Sequence, residues 1–183
     1  MKKIAFCIVL TTLVLLLAAQ ASAQSKMSVG AGLDLMMPVG SFADNWGTGF
    51  GFTAEFDYVL SPHSSVTGKL GYLSWSEKGL SSGASASFGG VPILVGLKYY
   101  SRLNADGPVR FYGHLELGMI TGSLSGSGHY VAVSESMTGF TIVPSLGAEI
   151  PAGPNGAVDV SIRYFDMARR GNFGIRAGYK LAI

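Results

Sequence analysis

Apolar and polar residues alternate one by one along most of this chain. Over residues 158–164, for example, apolar side chains fall on every second position, and Asp159, Ser161 and Arg163 lie between them. Successive side chains of a β-strand point to opposite faces, so such a segment has one apolar face and one polar face. Runs of this kind, separated by turn residues, predict eight strands: 27–36, 50–59, 65–75, 91–100, 109–120, 138–150, 157–166 and 172–183.

The charged residues of these predicted strands fall on one face only. The polar faces carry Asp34, Glu55, Asp57, Glu116, Glu149 and Asp159 as acids, with Lys69, Lys98, Arg110, Arg163, Arg176 and Lys180 as bases. An eight-stranded barrel has an interior just wide enough for side chains to fill. We therefore predict a lumen plugged by paired charges. Because of their neighbouring strands, Glu149 or Asp159 is the expected partner of Arg163 and of Arg176.

The amino-terminal segment has the pattern of a cleaved secretory signal. A basic start and an apolar run over residues 4–19 precede small residues suited to signal peptidase. The run is shorter than the roughly 20 residues of a spanning helix. We predict a signal peptide over residues 1–23 and a barrel domain over residues 24–183. Cys7 is the only cysteine and leaves with the signal, which excludes disulfides and cysteine chemistry from the mature chain.

Composition and charge favour a wall that faces lipid. Only 13% of residues are charged, whereas 26 of 183 are glycine; the first share is lower and the second higher than in soluble domains. Without Lys2 and Lys3 the chain has as many basic residues as its 11 acidic ones, so nothing indicates a nucleic-acid partner. Beyond the signal no apolar run could form a spanning helix, which leaves a closed barrel to cross a bilayer. The alternative, a soluble lipocalin-type barrel, would crowd the whole apolar set into a narrow core.

Aromatic residues of the apolar faces collect near the strand ends, as in the interfacial girdles of outer-membrane barrels. One girdle is predicted at Tyr58, Tyr99, Phe111 and Tyr179, and the other at Phe50, Tyr72, Tyr164 and Phe173. Predicted connections alternate between long, at 37–49, 76–90 and 121–137, and short, at 60–64, 101–108 and 151–156, with 167–171 as the exception. Long extracellular loops and short periplasmic turns are typical of such barrels. Both termini are therefore expected in the periplasm of a Gram-negative bacterium.

Five segments occur in order along the predicted strands and turns: PVGSF at 38–42, GFG at 49–51, PILVGLKYY at 92–100, GAEIP at 147–151 and VDVSIRY at 158–164. Together they resemble the bacterial outer membrane protein β-barrel domain family of small, OmpA/OmpX-like and porin-like barrels. The resemblance spans the mature chain and implies an eight-stranded antiparallel up-and-down transmembrane barrel among outer-membrane lipid and lipopolysaccharide. It also implies assembly by the barrel assembly machinery through the last strand, but no single activity. Ile183 departs from the Phe or Trp that usually ends such chains, although Tyr179 and Leu181 keep the alternation.

Histidine and serine positions bear on lipid A-modifying chemistry, which needs a Ser, a His and a carboxylate within hydrogen-bond reach. His63 and Ser65 fall at a predicted periplasmic turn without an assigned acid, and His114 is expected to be a buried, hydrogen-bonded lumen residue. His129 is the one candidate for catalysis at the rim. The alternative is that its segment is a flexible, solvated loop. The residues near it in the sequence are Ser123, Ser125, Ser127, Ser134 and Glu135. No histidine pair has metal-ligand spacing, and we expect no metal and no cofactor.

Three functions remain open at this stage. The leading one is a non-enzymatic structural or surface-interaction barrel that meets an extracellular ligand or surface partner. The second is a narrow channel for small solutes or small apolar molecules. For this channel Leu73, Leu94, Val143 and Phe165 form a partial apolar path on the polar faces, unless they are merely rim packing. The third is a lipid A-modifying enzyme.

Overall fold

The computed structural model describes residues 26–78, 85–101, 108–127, 132–167 and 170–183, and within them the chain forms one closed barrel. The strands are β1 (Met27–Pro38), β2 (Trp46–Ser61), β3 (Ser64–Glu77), β4 (Ser85–Tyr100), β5 (Arg110–Ser127), β6 (Ala132–Pro151), β7 (Gly156–Met167) and β8 (Arg170–Ala182). A short helix, α1 (Ser41–Asn45), lies between β1 and β2. Each strand pairs antiparallel with the next, and β8 pairs with β1. The predicted eight-stranded antiparallel barrel is confirmed.

The two ends of the barrel differ in their connections. At one end, which we call the base, β1 begins, β8 ends, and strands are joined across residues 62–63, 101–109 and 152–155. At the opposite end, the top, α1 lies between β1 and β2. The base turn between β6 and β7 contains Gly153 at φ 89°, a left-handed conformation that favours glycine. No helix within the described ranges is long and apolar enough to cross a membrane. The predicted signal peptide lies outside the described residues.

Two of the predicted long connections are wrong, because much of 76–90 and 121–137 is strand. Residues 85–90 of β4 pair with residues 122–127 of β5, and β6 begins at Ala132. These segments are rich in serine and glycine, so they lack the apolar alternation that identifies a strand next to lipid. Their backbone N–H and C=O groups still form hydrogen bonds with one another across the ladder. The third predicted connection, 37–49, contains α1 and the start of β2 at Trp46.

Two prolines interrupt the hydrogen-bond ladders of the wall. Pairing between β3 and β4 passes from Leu70↔Ile93 to Leu73↔Gly90, and Pro92 lies in the gap. Pairing between β6 and β7 passes from Ile142↔Asp166 to Ser145↔Arg163, where the gap contains Pro144. Proline has no N–H to donate to a ladder, which explains why the register continues on both sides while the intervening pairs are missing.

Apolar side chains cover the outside of the barrel. Leu33, Val95 and Leu146 are 72%, 64% and 63% exposed, which in water would be unfavourable for so many large side chains. The residues of the two predicted girdles also face outward: Tyr58, Tyr99, Phe111 and Tyr179 in the half next to the base, and Phe50, Tyr72, Tyr164 and Phe173 in the half next to the top. Tyr164 is the one half-buried member of these sets, because its ring packs 5.2 Å from that of Phe173.

Candidate functional site

The polar faces of the strands meet inside the barrel, and most of the charges predicted there are deeply buried. The structure places Asp34, Glu55, Asp57, Lys69, Lys98, Glu116, Glu149, Asp159, Arg163, Arg176 and Lys180 in the lumen, each at most 6% exposed. Arg110 is the exception. It is exposed at the base, and its guanidinium lies over the Tyr100 ring at 3.8 Å from the centroid. Arg110 is the first residue of β5, so its long side chain reaches water rather than the lumen.

Four of the buried charges form a middle cluster, which we define as Asp34, Lys69, Glu116 and Arg163. Arg163 pairs with Asp34 at 2.8 Å and with Glu116 at 3.3 Å. Lys69 pairs with Glu116 at 2.8 Å. The predicted partners of Arg163, Glu149 and Asp159, are therefore wrong. The Arg163 side chain crosses the lumen from β7 to β1 and β5, because long side chains in so narrow a barrel reach beyond adjacent strands.

The other seven buried charges form a lower cluster, which we define as Glu55, Asp57, Lys98, Glu149, Asp159, Arg176 and Lys180. Arg176 pairs with Asp159 at 2.8 Å, and Asp159 is one of its two predicted partners. The ion pairs of the two lysines are Lys98 to Glu55 at 2.8 Å, Lys98 to Glu149 at 3.3 Å, Lys180 to Glu149 at 2.7 Å, and a close pair between Lys180 and Asp57. Lys69 also contacts Glu55 at 3.0 Å and thereby joins the two clusters.

Two buried tyrosines complete the lower cluster, and the sequence reasoning missed both. The Tyr100 hydroxyl donates to Glu149 Oε1 at 2.9 Å, and the Tyr112 hydroxyl donates to Asp159 at 2.8 Å. Their neighbours Tyr99 and Phe111 face outward. Because successive side chains of a strand point to opposite faces, Tyr100 and Tyr112 belong to the inner face. Each supplies a further donor to a buried carboxylate that also pairs with a cation of the lower cluster.

Glycine creates the space that these long side chains occupy. A Cβ added at Gly32 would lie 2.9 Å from Arg176 Cζ, and one added at Gly174 would lie 2.9 Å from Arg163 Cγ. Such contacts are too short for ordinary packing. The high glycine content therefore has a direct structural role, since a larger residue would displace the charged side chain next to it.

An apolar plug fills the lumen next to the top. We define it as Met36, Phe42, Leu73, Trp75, Phe88, Leu94, Ile120, Val143 and Phe165, all buried, with Trp46 packed against them. Helix α1 contributes Phe42, whose ring lies 6.0 Å from Trp75 and 6.3 Å from Phe88 in edge-to-face geometry. The four residues considered as an apolar path are all members of the plug. Packed in this way they fill the lumen above the charges instead of lining an open passage.

The histidines that the structure describes are not arranged as a catalytic set. His114 is buried and its Nε2 lies 2.8 Å from Thr67 Oγ1, while its Nδ1 lies 3.8 Å from Glu116. His63 occupies the base turn, where its backbone N–H donates to Ser61 Oγ at 3.2 Å. His129 lies outside the described residues, so the rim constellation around it is not described. The part of the chain that is described contains no group of three His, Cys, Asp or Glu residues suited to a metal ion.

The closed eight-stranded barrel, apolar outside and charged inside, agrees with the family assignment of the sequence. The model of the outer membrane protein beta-barrel domain family matches residues 8–180. This chain belongs to that family. It is accordingly an integral barrel of the outer membrane, surrounded by lipid. No curated protein matches its sequence.

Solved structures of small outer-membrane barrels share its fold at low sequence identity. Neisserial surface protein A is 17% identical with a TM-score of 0.67, covering 88% of this chain and all of that one. Ail of Yersinia pestis, in complex with the heparin analogue sucrose octasulfate, is 18% identical with a TM-score of 0.61, covering 87% and 99%. OprG of Pseudomonas aeruginosa is 13% identical with a TM-score of 0.57, covering 90% and 99%. At such identities the likeness concerns the fold alone.

Proposed function

We propose that this barrel is a non-enzymatic surface protein whose top faces the outside of the cell and binds an extended segment of another polypeptide. The lumen supports a role other than transport, because a layer of packed apolar side chains lies above a network of paired charges. The two termini at the base would then lie in the periplasm, and lipopolysaccharide would surround the top. Assembly through the barrel assembly machinery would use β8, whose residues 172–182 pair with β1 to close the barrel.

One observation supports the interaction role: at the top, β6 extends beyond the end of its pairing with β7. Pairing between β6 and β7 ends at Thr141↔Met167, whereas β6 extends upward to Ala132. Within the described part of the chain, residues 132–140 have a strand neighbour on the β5 side only. This free edge extends for about 30 Å at the usual rise of a strand.

The sequence of this edge has few of the features that normally prevent strand addition. Natural edge strands are protected by proline, lysine or bulges, but residues 132–140 include neither proline nor lysine, and Glu135 is their one charged residue. An exposed edge of this kind binds extended peptides through backbone hydrogen bonds, with side-chain contacts setting specificity. Because backbone groups are shared by all polypeptides, the partner need not have a folded domain of its own.

A sulfated ligand, such as the heparin analogue bound by Ail, fits this top less well. The charged residues that the described ranges contain there are Asp44, Glu77, Lys78, Glu135, Asp166 and Arg170, of which four are acidic. Polyanion binding depends on clusters of Lys and Arg. A polypeptide partner therefore has more support than a polyanion.

Site-specific labelling tests the orientation. Because Cys7 lies in the predicted signal, a single introduced cysteine would be the one thiol of the mature protein. We expect a membrane-impermeant maleimide to label Ser136→Cys on intact cells and to leave the base variant Pro154→Cys unlabelled until the outer membrane is opened. The opposite pattern would contradict the proposed orientation.

Adhesion of cells to immobilised extracellular proteins tests the interaction role. Expression of the barrel should increase binding to at least one such protein. Ser136→Pro, which introduces an edge-protecting residue, should abolish the increase, while Ser136→Ala should keep it. Equal adhesion with and without the barrel, or with Pro and Ala, would argue against the edge.

Two further assays address the alternatives. Liposomes with the folded barrel should show no conductance steps above those of empty liposomes, because both the plug and the charge clusters obstruct the lumen. Mass spectrometry of lipid A should show the same masses with and without expression. A mass change that depends on His129 would support the enzyme instead.

A further inference from the structure

A groove of about 280 Å³ lies on the outer wall of the barrel, over the seam between β6 and β7. Its outward-facing lining consists of Pro144 and Leu146 on β6, Ile162 and Tyr164 on β7, and Phe173 on β8. Leu146, Ile162 and Phe173 are 63%, 59% and 53% exposed, so a molecule on the wall can contact them directly. The groove is therefore an accessible apolar depression in the surface that faces lipid.

The groove lies where proline interrupts the β6–β7 ladder. The register would place Pro144 opposite Tyr164, but this pair and the neighbouring pair Val143–Phe165 are missing. On the other side of β6 the ladder is unbroken and includes the pair Leu115↔Pro144. The nitrogen of Pro144 therefore points towards β7, where another residue would donate its N–H to the Tyr164 carbonyl. Because proline has no N–H, the two strands lack direct pairing at this point of the wall.

The side chain of Tyr164 leans away from this gap and over β8. Its ring lies 5.2 Å from the ring of Phe173. A Cβ added at Gly171 would lie 2.5 Å from the Tyr164 hydroxyl oxygen, so glycine leaves the space that this hydroxyl occupies. On β6, the compact ring of Pro144 covers little of the surface. The depression is the space that remains between these two side chains.

The groove presents no charge to a ligand. Ser145 and Arg163 complete its lining, but they are 7% and 2% exposed and belong to the inner face of the wall. The Arg163 guanidinium pairs with Asp34 and Glu116 in the lumen. A free fatty acid or an anionic headgroup would therefore find no accessible cation among the lining residues. A hydrocarbon chain needs none.

The depth of the groove indicates which molecule fills it. Tyr164 and Phe173 belong to the predicted girdle next to the top, and such girdles lie at the membrane–water interface. The pair Leu146↔Ile162 lies two residues nearer the base. The groove therefore extends from the interface into the hydrocarbon, in the direction in which lipid chains lie. Because it is continuous with the lipid-facing wall, a membrane lipid reaches it without crossing a barrier.

We propose that this groove binds one acyl chain of a membrane lipid in the leaflet next to the top. The chain lies over the β6–β7 seam between Leu146 and Ile162, and its upper part lies beside Tyr164. Filling the depression gives the chain more dispersion contacts than a flat wall would offer. A second copy of the barrel would present a convex wall, which touches the rim of a depression rather than its floor. The site does not depend on which side of the membrane the top faces.

Photocrosslinking in liposomes tests this inference. The full barrel is reconstituted with a phosphatidylcholine that carries a diazirine in one acyl chain, and the cross-linked residues are located by mass spectrometry. We expect Leu146 and Ile162 to be labelled several-fold more than Leu97 and Leu115. These controls face each other in the unbroken β4–β5 ladder and are 51% and 50% exposed. Leu115 also faces Pro144, so both controls lie level with the groove.

A variant with a filled groove should lose this preference. Ile162→Trp places a large apolar side chain in the depression, so labelling of Leu146 should fall to the level of Leu115. Leu97→Trp adds the same side chain at an outward position away from the groove and should leave labelling of Leu146 unchanged. Gel migration before and after boiling reports whether each variant is folded. If Ile162→Trp does not fold, Leu146→Trp replaces it, with labelling measured at Ile162.

Three results would overturn the inference. Equal labelling of Leu146 and Leu115 in the wild type would mean that the groove has only ordinary contact with surrounding lipid. Preferential labelling that survives Ile162→Trp would place the bound chain elsewhere. A dimer that Ile162→Trp dissociates and Leu97→Trp does not would identify a second copy of the barrel as the occupant. None of these results depends on the surface role proposed above, which adhesion and thiol labelling test separately.

Discussion

Replacing Arg163 by glutamine should destabilise the barrel strongly, because it leaves two buried carboxylates short of a cation. The Arg163 side chain is about 1% exposed and pairs with Asp34 at 2.8 Å and Glu116 at 3.3 Å. Removing one member of a buried ion pair costs about 3 to 5 kcal/mol. Asp34 keeps a hydrogen bond from Thr53 Oγ1 at 2.8 Å, and Glu116 keeps Lys69 at 2.8 Å. We therefore expect the lower limit, a loss of about 3 kcal/mol in the free energy of unfolding.

Urea unfolding in liposomes measures this loss. Trp46 and Trp75, which the sequence contains as its two tryptophans, report the folded state by fluorescence, since both lie in or against the apolar plug. Arg110 provides the matched control because it is an exposed arginine on the same polar faces. Arg110→Gln should change the free energy of unfolding by no more than about 1 kcal/mol, as exposed charges do.

A double variant separates the charge effect from the loss of packing. Adding Asp34→Asn to Arg163→Gln removes one of the stranded charges, so part of the lost stability should return and the two changes should not be additive. Equal losses for Arg163→Gln and Arg110→Gln would refute the reasoning. That result would mean that water reaches the middle cluster and screens its charges.

Three further substitutions test the lumen, the ladder and the lipid-facing wall. Gly32→Ala should cost about 1 to 3 kcal/mol, because the new Cβ meets Arg176, whereas Gly68→Ala, with no atom within 4 Å of its added Cβ, should be neutral or slightly stabilising. Pro144→Val should stabilise by about 1 kcal/mol, because it restores a donor to the interrupted ladder. Leu146→Arg should cost about 2 to 4 kcal/mol, because it places a charge in hydrocarbon. Urea unfolding in liposomes measures all of them.

Each of these substitutions has a result that would contradict its premise. Equal effects at the two glycines would show that the lumen adjusts freely around an added Cβ. A loss of stability for Pro144→Val would mean that the gap in the β6–β7 ladder is needed for packing. For Leu146→Arg the control is Ser123→Arg, at an exposed position of β5 next to the top. Equal costs at both positions would place Leu146 in water.

Alternation was sufficient to predict the strands and the face of nearly every side chain, because it records directly which face meets lipid. It identified Asp34 and Arg163 as lumen residues without any knowledge of their contacts. It could not identify their pairing, since the partner of a long side chain depends on three-dimensional distances across the barrel. Near the top, β5 and β6 are rich in serine and glycine and neither face is consistently apolar, so the signal disappears there. For this reason alternation assigns the upper parts of β5 and β6 to a loop.

The position of Arg110 shows a second limit of pattern reasoning. Its place in the alternation is the same as that of the buried charges, yet it is the first residue of its strand. At a strand end the polar face is open to solvent. A guanidinium there stays hydrated, and no charged partner in the lumen would compensate for the loss of that hydration. Alternation assigns a side chain to a face but carries no information about depth along the barrel axis. The number of buried cations is therefore smaller by one than the sequence indicates.

The vertical order of the lumen determines which end can exchange ions with its charges. The apolar plug, with Trp75 and Phe88, lies between the top and the middle cluster, and ions cross packed apolar layers at a high cost in lost hydration. At the base, in contrast, a cavity of about 310 Å³ is lined by Asp57 and Glu149. Ions from water therefore reach the lower cluster from the base. For the same reason, a peptide that paired with residues 132–140 of β6 at the top would leave the ion pairs below the plug unchanged.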